Sequence, residues 1–266
     1  MNRQFDSFLH AIKAEWIKAR RTFLPYSPIM FAVCTLVFAF FTAFYGITAS
    51  TMQYIALHCA SVCLLFFMFI FLPIYCTIIA IQNYQMEHGN RSWKHINSMP
   101  VSGITQALTK HFFAWCCVAA ATLLFSVLTV LSLLTVKWLH PELNMGLNTS
   151  TFWLTICKLN VVIIIGGIVM VSIQNLISAR FSKHIQTITT GFFGICVVPG
   201  LIFISSPIAP FLPWSTEVYV MHLLFGAAPR LSPVASYKPW WVIVPFVWLV
   251  ATLALHAVLQ RKRPLY

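Results

Sequence analysis

Acidic residues are almost missing from this 266-residue sequence. There are five, Asp6, Glu15, Glu87, Glu142 and Glu217, against 17 Lys and Arg. Charge of either sign makes up 8% of the chain, where a soluble domain carries about 25%. No Asp, Glu, Lys or Arg occurs from Thr22 to Met86, or from His111 to Val136. The residues are 59% hydrophobic and the mean hydropathy is +0.83. Burying that much apolar surface needs a core larger than such a chain encloses. An ordinary soluble domain is therefore excluded, and the solvent for most of the chain is lipid.

Catalytic signatures are also missing. There is no H-E-x-x-H, no G-x-S-x-G and no G-x-x-x-x-G-K-[ST], so the chain has no P-loop with which to bind ATP and is not read as an enzyme. Proton or sodium coupling usually draws on buried carboxylates, and no Asp or Glu falls inside an apolar run. The eight cysteines all lie in apolar stretches and form no C-x-x-C pair or zinc spacing. Cys59 and Cys63 can share a helix face at i, i+4, but small core residues are the better account of them. His58, alone within an apolar run, is read as a packing residue. The charged first 21 residues do not fit a cleavable signal peptide.

What is present is a series of continuous apolar runs of helix length. Barrel strands alternate apolar and polar residues, whereas a run of about 20 apolar residues matches a helix crossing a bilayer of about 30 Å. The expected fold is an all-α membrane protein with six transmembrane helices, at about 27–47, 54–81, 111–136, 155–177, 187–206 and 240–259. Residues 1–23 read as an amphipathic interfacial helix with the stripe Phe5, Leu9, Ile12 and Trp16. Pro73 should kink the second span and Pro199-Gly200 should interrupt the fifth. Ser102 is a candidate N-cap for the third, whose first turn carries Lys110 on the cytoplasmic side. Lys158 sits near the outer end of the fourth and can snorkel. Residues 207–239 hold six prolines and a short apolar helix, Val218–Phe225, capped by Ser215. That helix is too short to span, so it dips into the outer leaflet or packs on the bundle. Gln82, Asn83, Asn160, Gln174 and Asn175 supply hydrogen bonds between spans or line a path, packing being the better account.

The basic residues fix the expected orientation. With both termini cytoplasmic, thirteen Lys and Arg fall inside and four outside: Lys137, Lys158, Arg230 and Lys238. Charges placed beside spans suit anionic headgroups of the lipid bilayer. They do not suit nucleic acid, and no nucleic-acid partner is expected despite the net charge of +12.

Between the second and third apolar runs lies a polar island, residues 87–102, from Glu87 through Arg91, Trp93 and Lys94 to Pro100 and Ser102. Gly89-Asn90 should end the preceding helix and Asn90 should cap a short one that stops at Pro100. Trp93 and Ile96 then form an apolar knob flanked by Arg91 and Lys94, the composition of a protein–protein anchor. A solvated loop whose charges serve only topology accounts for the same residues equally well.

The opening Ala14-Glu15-Trp16-Ile17-Lys18-Ala19-Arg20-Arg21, the six spans and the island with its Met99-Pro100-Val101-Ser102 ending together resemble an ABC-2 type transporter permease. The island is similar to that of the lantibiotic and bacteriocin immunity subgroup. The resemblance implies a single permease domain over residues 1–266. It implies that Glu87, Arg91, Trp93 and Lys94 dock on separate ATPase subunits, two of them, which carry the ATP and magnesium. It also implies a second permease chain, the same or a paralogue, and a re-entrant external segment at 207–239. The loop Ser178–His184 is short for a second docking helix. The implied function is export of an amphipathic antimicrobial peptide from a bacterial cytoplasmic membrane. Export of another hydrophobic substrate such as a drug or lipid, a non-transport scaffold or sensor, and an ATP-independent carrier remain as alternatives.

Overall fold

The computed structural model describes residues 2–20, 23–33, 55–89, 102–139, 141, 147, 149–181, 184–204, 208–216 and 243–261. Every regular element among them is helical. Helix α1 is Asn2–Ala19, and α2 is Leu24–Val33, opening with a 3-10 turn. Helix α3 is continuous through Ile55–Phe66, Phe67–Phe71 and Leu72–Gly89. Helix α4 is Gly103–Leu139, α5 is Ser150–Arg180, α6 is His184–Phe203 and α7 is Ile243–Arg261. Helices α3, α4 and α5 cover the expected second, third and fourth spans. Three helices, in α3, α4 and α5, are long and apolar enough to cross a membrane; the other described apolar stretches are shorter. The chain is a multi-pass membrane protein. The short helix expected at Val218–Phe225 lies outside the described residues.

One expectation about proline gains detail and one needs correction. Pro73 alters α3 locally. Because it has no N–H for the Phe69 carbonyl, the preceding turn widens into a π-helix over Phe67–Phe71, closed by Leu72 N–H donating to Phe67 O. The helix then runs on to Gly89, eight residues past the expected apolar span and at the stop expected from Gly89-Asn90. Pro199-Gly200 does not interrupt α6, which continues to Phe203 with Ile204 N–H donating to Gly200 O at 3.1 Å. Apolar composition stops before backbone pairing does, since a helix in lipid keeps its carbonyls satisfied by continuing. Ser102 caps α4 as expected, its hydroxyl accepting from Thr105 N–H at 3.1 Å. Thr149 does the same for α5, accepting from Phe152 N–H at 3.3 Å.

Helix α5 forms the centre, packed by α3, α4, α6 and α7. It approaches α3 and α4 closely because Gly167 has no side chain: a Cβ there would come within 2.6 Å of Val118 Cγ1 and 3.3 Å of Leu72. Around that crossing Phe67 stacks on Phe125 at 4.3 Å, and Phe31 of α2 stacks on Tyr75 at 4.5 Å. The expected polar contacts between spans are present. Ser126 Oγ donates to Asn160 Oδ1 at 2.7 Å, Asn83 Nδ2 to Asn175 Oδ1 at 3.5 Å, and Trp115 Nε1 to Ser172 Oγ at 2.9 Å. Outward faces are apolar. On α4, Leu123, Val127, Leu131 and Leu134 follow one another on a single exposed face, which fits lipid as the solvent.

After α6 the chain turns back. Residues 208–216 make two 3-10 turns, Ala209–Phe211 and Pro213–Ser215, and Ala209, Pro213, Trp214, Ser215 and Thr216 are buried. The Trp214 ring lies against the bare backbone of Gly194, and Trp248 Nε1 of α7 donates to Phe211 O at 2.7 Å. The helix that Ser215 is expected to cap lies outside the described residues. The Ser215 hydroxyl donates to the Ala209 and Leu212 carbonyls.

Candidate coupling site

Of the four residues assigned to docking, Glu87 lies in the last turn of α3. Its side chain, and Arg91, Trp93 and Lys94, lie outside the described residues. The structure fixes the frame on both sides: α3 ends at Gly89 and α4 begins at Gly103. The polar segment thus lies between the ends of two long helices of the bundle.

Just inside that frame is a polar cluster that the sequence pattern did not reveal. Lys110, read from sequence as a charge in a cytoplasmic turn, is buried at 4% exposure. Its ammonium donates to the Asn83 carbonyl of α3 at 3.0 Å and lies 3.7 Å from Glu15 Oε2 of α1. It also sits 5.0 Å from the centre of the Tyr84 ring, within cation–π range. A carboxylate, a carbonyl and a ring face thus replace water around the charge. Glu15 Oε1 accepts from Lys18 Nζ at 2.9 Å, so the carboxylate bridges two cations. Burial works to raise the Glu15 pKa, but Lys110 and then Lys18 outweigh it, and the net value lies below the ordinary 4.5.

The neighbouring residue extends the cluster to α7. His111 Nε2 and His256 Nδ1 share a hydrogen bond of 2.9 Å, and Tyr84 Oη lies 3.4 Å from His256 Nε2. Both imidazoles are fully buried. Helices α3, α4 and α7 therefore meet in a run of polar side chains. Adjacent polar residues at the start of an apolar run, Lys110-His111, were the only trace of it in the sequence. Among the described residues no group of three or more His, Cys, Asp or Glu is placed to hold a metal. Cys59 and Cys63 are both buried in the apolar core.

Helix α1 docks through a face other than its apolar stripe. Ala11, Glu15 and Ala19 turn toward the bundle, while Leu9 and Trp16 stay 42% and 51% exposed. Trp16 touches α4 at its edge, with its ring 6.3 Å from that of Phe113. The stripe thus remains available to lipid while the small residues and the carboxylate meet protein.

A bundle of apolar helices with apolar outer faces and a polar junction at one end defines a membrane-embedded protein. Residues 11–198 match the family described as ABC-2 family transporter protein. That match covers more than half of the chain, which belongs to the ABC-2 transporter family and is a transmembrane transporter subunit. Permeases of this family generally work with ABC ATPase partners. A comparison with curated proteins gave no match.

Proposed function

We propose that the chain is the permease of an ATP-driven exporter in a bacterial cytoplasmic membrane, with both termini cytoplasmic. In this reading two permease chains and two ATPase subunits make the transporter, and ATP and magnesium stay on the ATPases. Residues 87–102 are the segment that meets them, with Trp93 as anchor and Glu87, Arg91 and Lys94 around it. The observation that carries this is the place of that segment between the ends of α3 and α4, two long helices of the bundle.

The cargo is an amphipathic antimicrobial peptide of the lantibiotic or bacteriocin kind, expelled from the membrane. Uncharged outer faces on α4, α6 and α7 favour lateral access from lipid over a charged channel. Residues 207–239 form the re-entrant external segment. In support, Trp214 meets Gly194, nine residues before the end of α6, or about 14 Å back along the helix axis.

The test is to express the chain with its co-purifying ATPase and compare Trp93→Ala and Glu87→Ala with the wild type. Membrane insertion should persist while ATPase co-purification falls at least fivefold. Unchanged co-purification in both variants rejects the docking assignment. Protection of cells against nisin tests the cargo: a wild-type complex that exports a lipid or a drug but gives no protection rejects the peptide.

A further inference from the structure

We propose that Lys110 is a positioning residue for energy coupling: it ties α1 to both helices that frame the polar segment, so that movement of the segment moves α1. This rests on residues 87–102 being the ATPase contact.

Three observations carry it. First is placement. Lys110 is seven residues into α4 and Asn83 is six residues before the end of α3, so each flank reaches the junction after about 10 Å of helix. Lys110 Nζ joins the Asn83 carbonyl at 3.0 Å to Glu15 at 3.7 Å, giving three elements one shared cation. Second is the chemistry. Small residues such as Ala11 and Ala19 already pack α1 against the bundle, and apolar packing needs no charge. A buried ammonium costs desolvation and in return accepts one arrangement of its partners. Third is the arrangement of Glu15. Its other oxygen holds Lys18, which is 38% exposed. When Lys110 withdraws, the carboxylate keeps a cation, while the ammonium is left to the Asn83 carbonyl and the Tyr84 ring. Leu9 and Trp16 stay partly exposed, so the lipid-facing side of α1 does not oppose such a shift.

The experiment uses the complex of the chain with its co-purifying ATPase, reconstituted in lipid nanodiscs. Glu15→Gln, Lys110→Met and Lys110→Arg are compared with Trp93→Ala. Three quantities are read: ATPase co-purification, kcat and KM for ATP, and disulfide formation in a Trp16→Cys/Phe113→Cys background. Glu15→Gln and Lys110→Met should keep the ATPase bound and KM within twofold, lower kcat at least fivefold and weaken the α1–α4 crosslink. Lys110→Arg, which keeps the charge, should recover at least half of kcat. Wild-type kcat in Glu15→Gln, with Trp93→Ala losing the ATPase, overturns the role of Lys110 and leaves the docking assignment standing. Loss of ATPase binding in Glu15→Gln also overturns it, by making Glu15 part of the docking surface. ATPase retained by Trp93→Ala rejects the docking assignment itself. If Lys110→Met fails to insert, Glu15→Gln and Lys110→Arg decide.

Discussion

Where α1 meets α4, the contact is made by adding charge: Glu15, Lys18 and Lys110 meet beside a helix carbonyl and a tyrosine ring. Where residues 208–216 meet α6, it is made by taking a side chain away, with Trp214 lying on the bare backbone of Gly194. The difference follows from the solvent. Lipid tails are as apolar as leucine, so burial alone gives helices little reason to associate, and close packing over small residues or polar pairing must supply it. The two regions weight these devices differently: Ala11 and Ala19 also pack α1, but its contact adds ion pairs. Glu15 bridges Lys110 and Lys18 at once. The Trp214 ring instead leaves no room for a Cβ at Gly194.

The sharpest way to break this comparison is at the glycine. Gly194→Ala places a Cβ inside the Trp214 ring and should cost about 2 kcal/mol through overpacking, read as a lower thermal midpoint in detergent. Trp214→Leu in the same chain should recover part of the loss. Gly200→Ala, with nothing within 4 Å, should be neutral or slightly stabilising. Equal behaviour of the two glycine variants would remove the distinction.

A smaller effect probes the charged region. The Glu15 pKa lies below its ordinary 4.5 in the folded protein. Its contribution is therefore complete above 4.5 and is lost as pH falls through the lower, folded value. The thermal midpoint should fall below pH 4.5 more steeply for the wild type than for Glu15→Gln, and equal slopes would show that the carboxylate is not held by its cations. The least effect is expected inside the bundle. Ser126→Ala removes one hydrogen bond to Asn160 and should cost about 0.6 kcal/mol. A loss above about 2 kcal/mol would mean that polar pairs in the middle of the bundle matter as much as those at its end.

The three membrane-length helices were legible because lipid imposes continuous hydrophobic runs, and the cap Ser102 and the stop at Gly89 follow local rules. Apolar composition marked the spans but not how far each helix continues. Composition changes at Ile81, while backbone pairing carries α3 to Gly89. Pro199 was misjudged for the same reason, since a bundle in lipid leaves a freed carbonyl few alternatives to helix. Lys110 was counted with the charges that set orientation, but its burial depends on Glu15, ninety-five positions earlier, and no spacing rule links the two. The polar side chains Asn83, Asn160 and Asn175 were correctly read as links between helices. Their partners, like the seat of Trp214, required the fold.

The length of α4 has a mechanical consequence. Thirty-seven residues make a rod of about 55 Å, against an apolar layer of about 30 Å. One end starts at the polar segment and the other carries Trp138, 81% exposed, beyond the last apolar turn. A tilt of about 10° about one end swings the other by about 10 Å. A rotation too small to disturb packing near the fulcrum thus becomes a displacement as wide as a helix at the far face of the membrane.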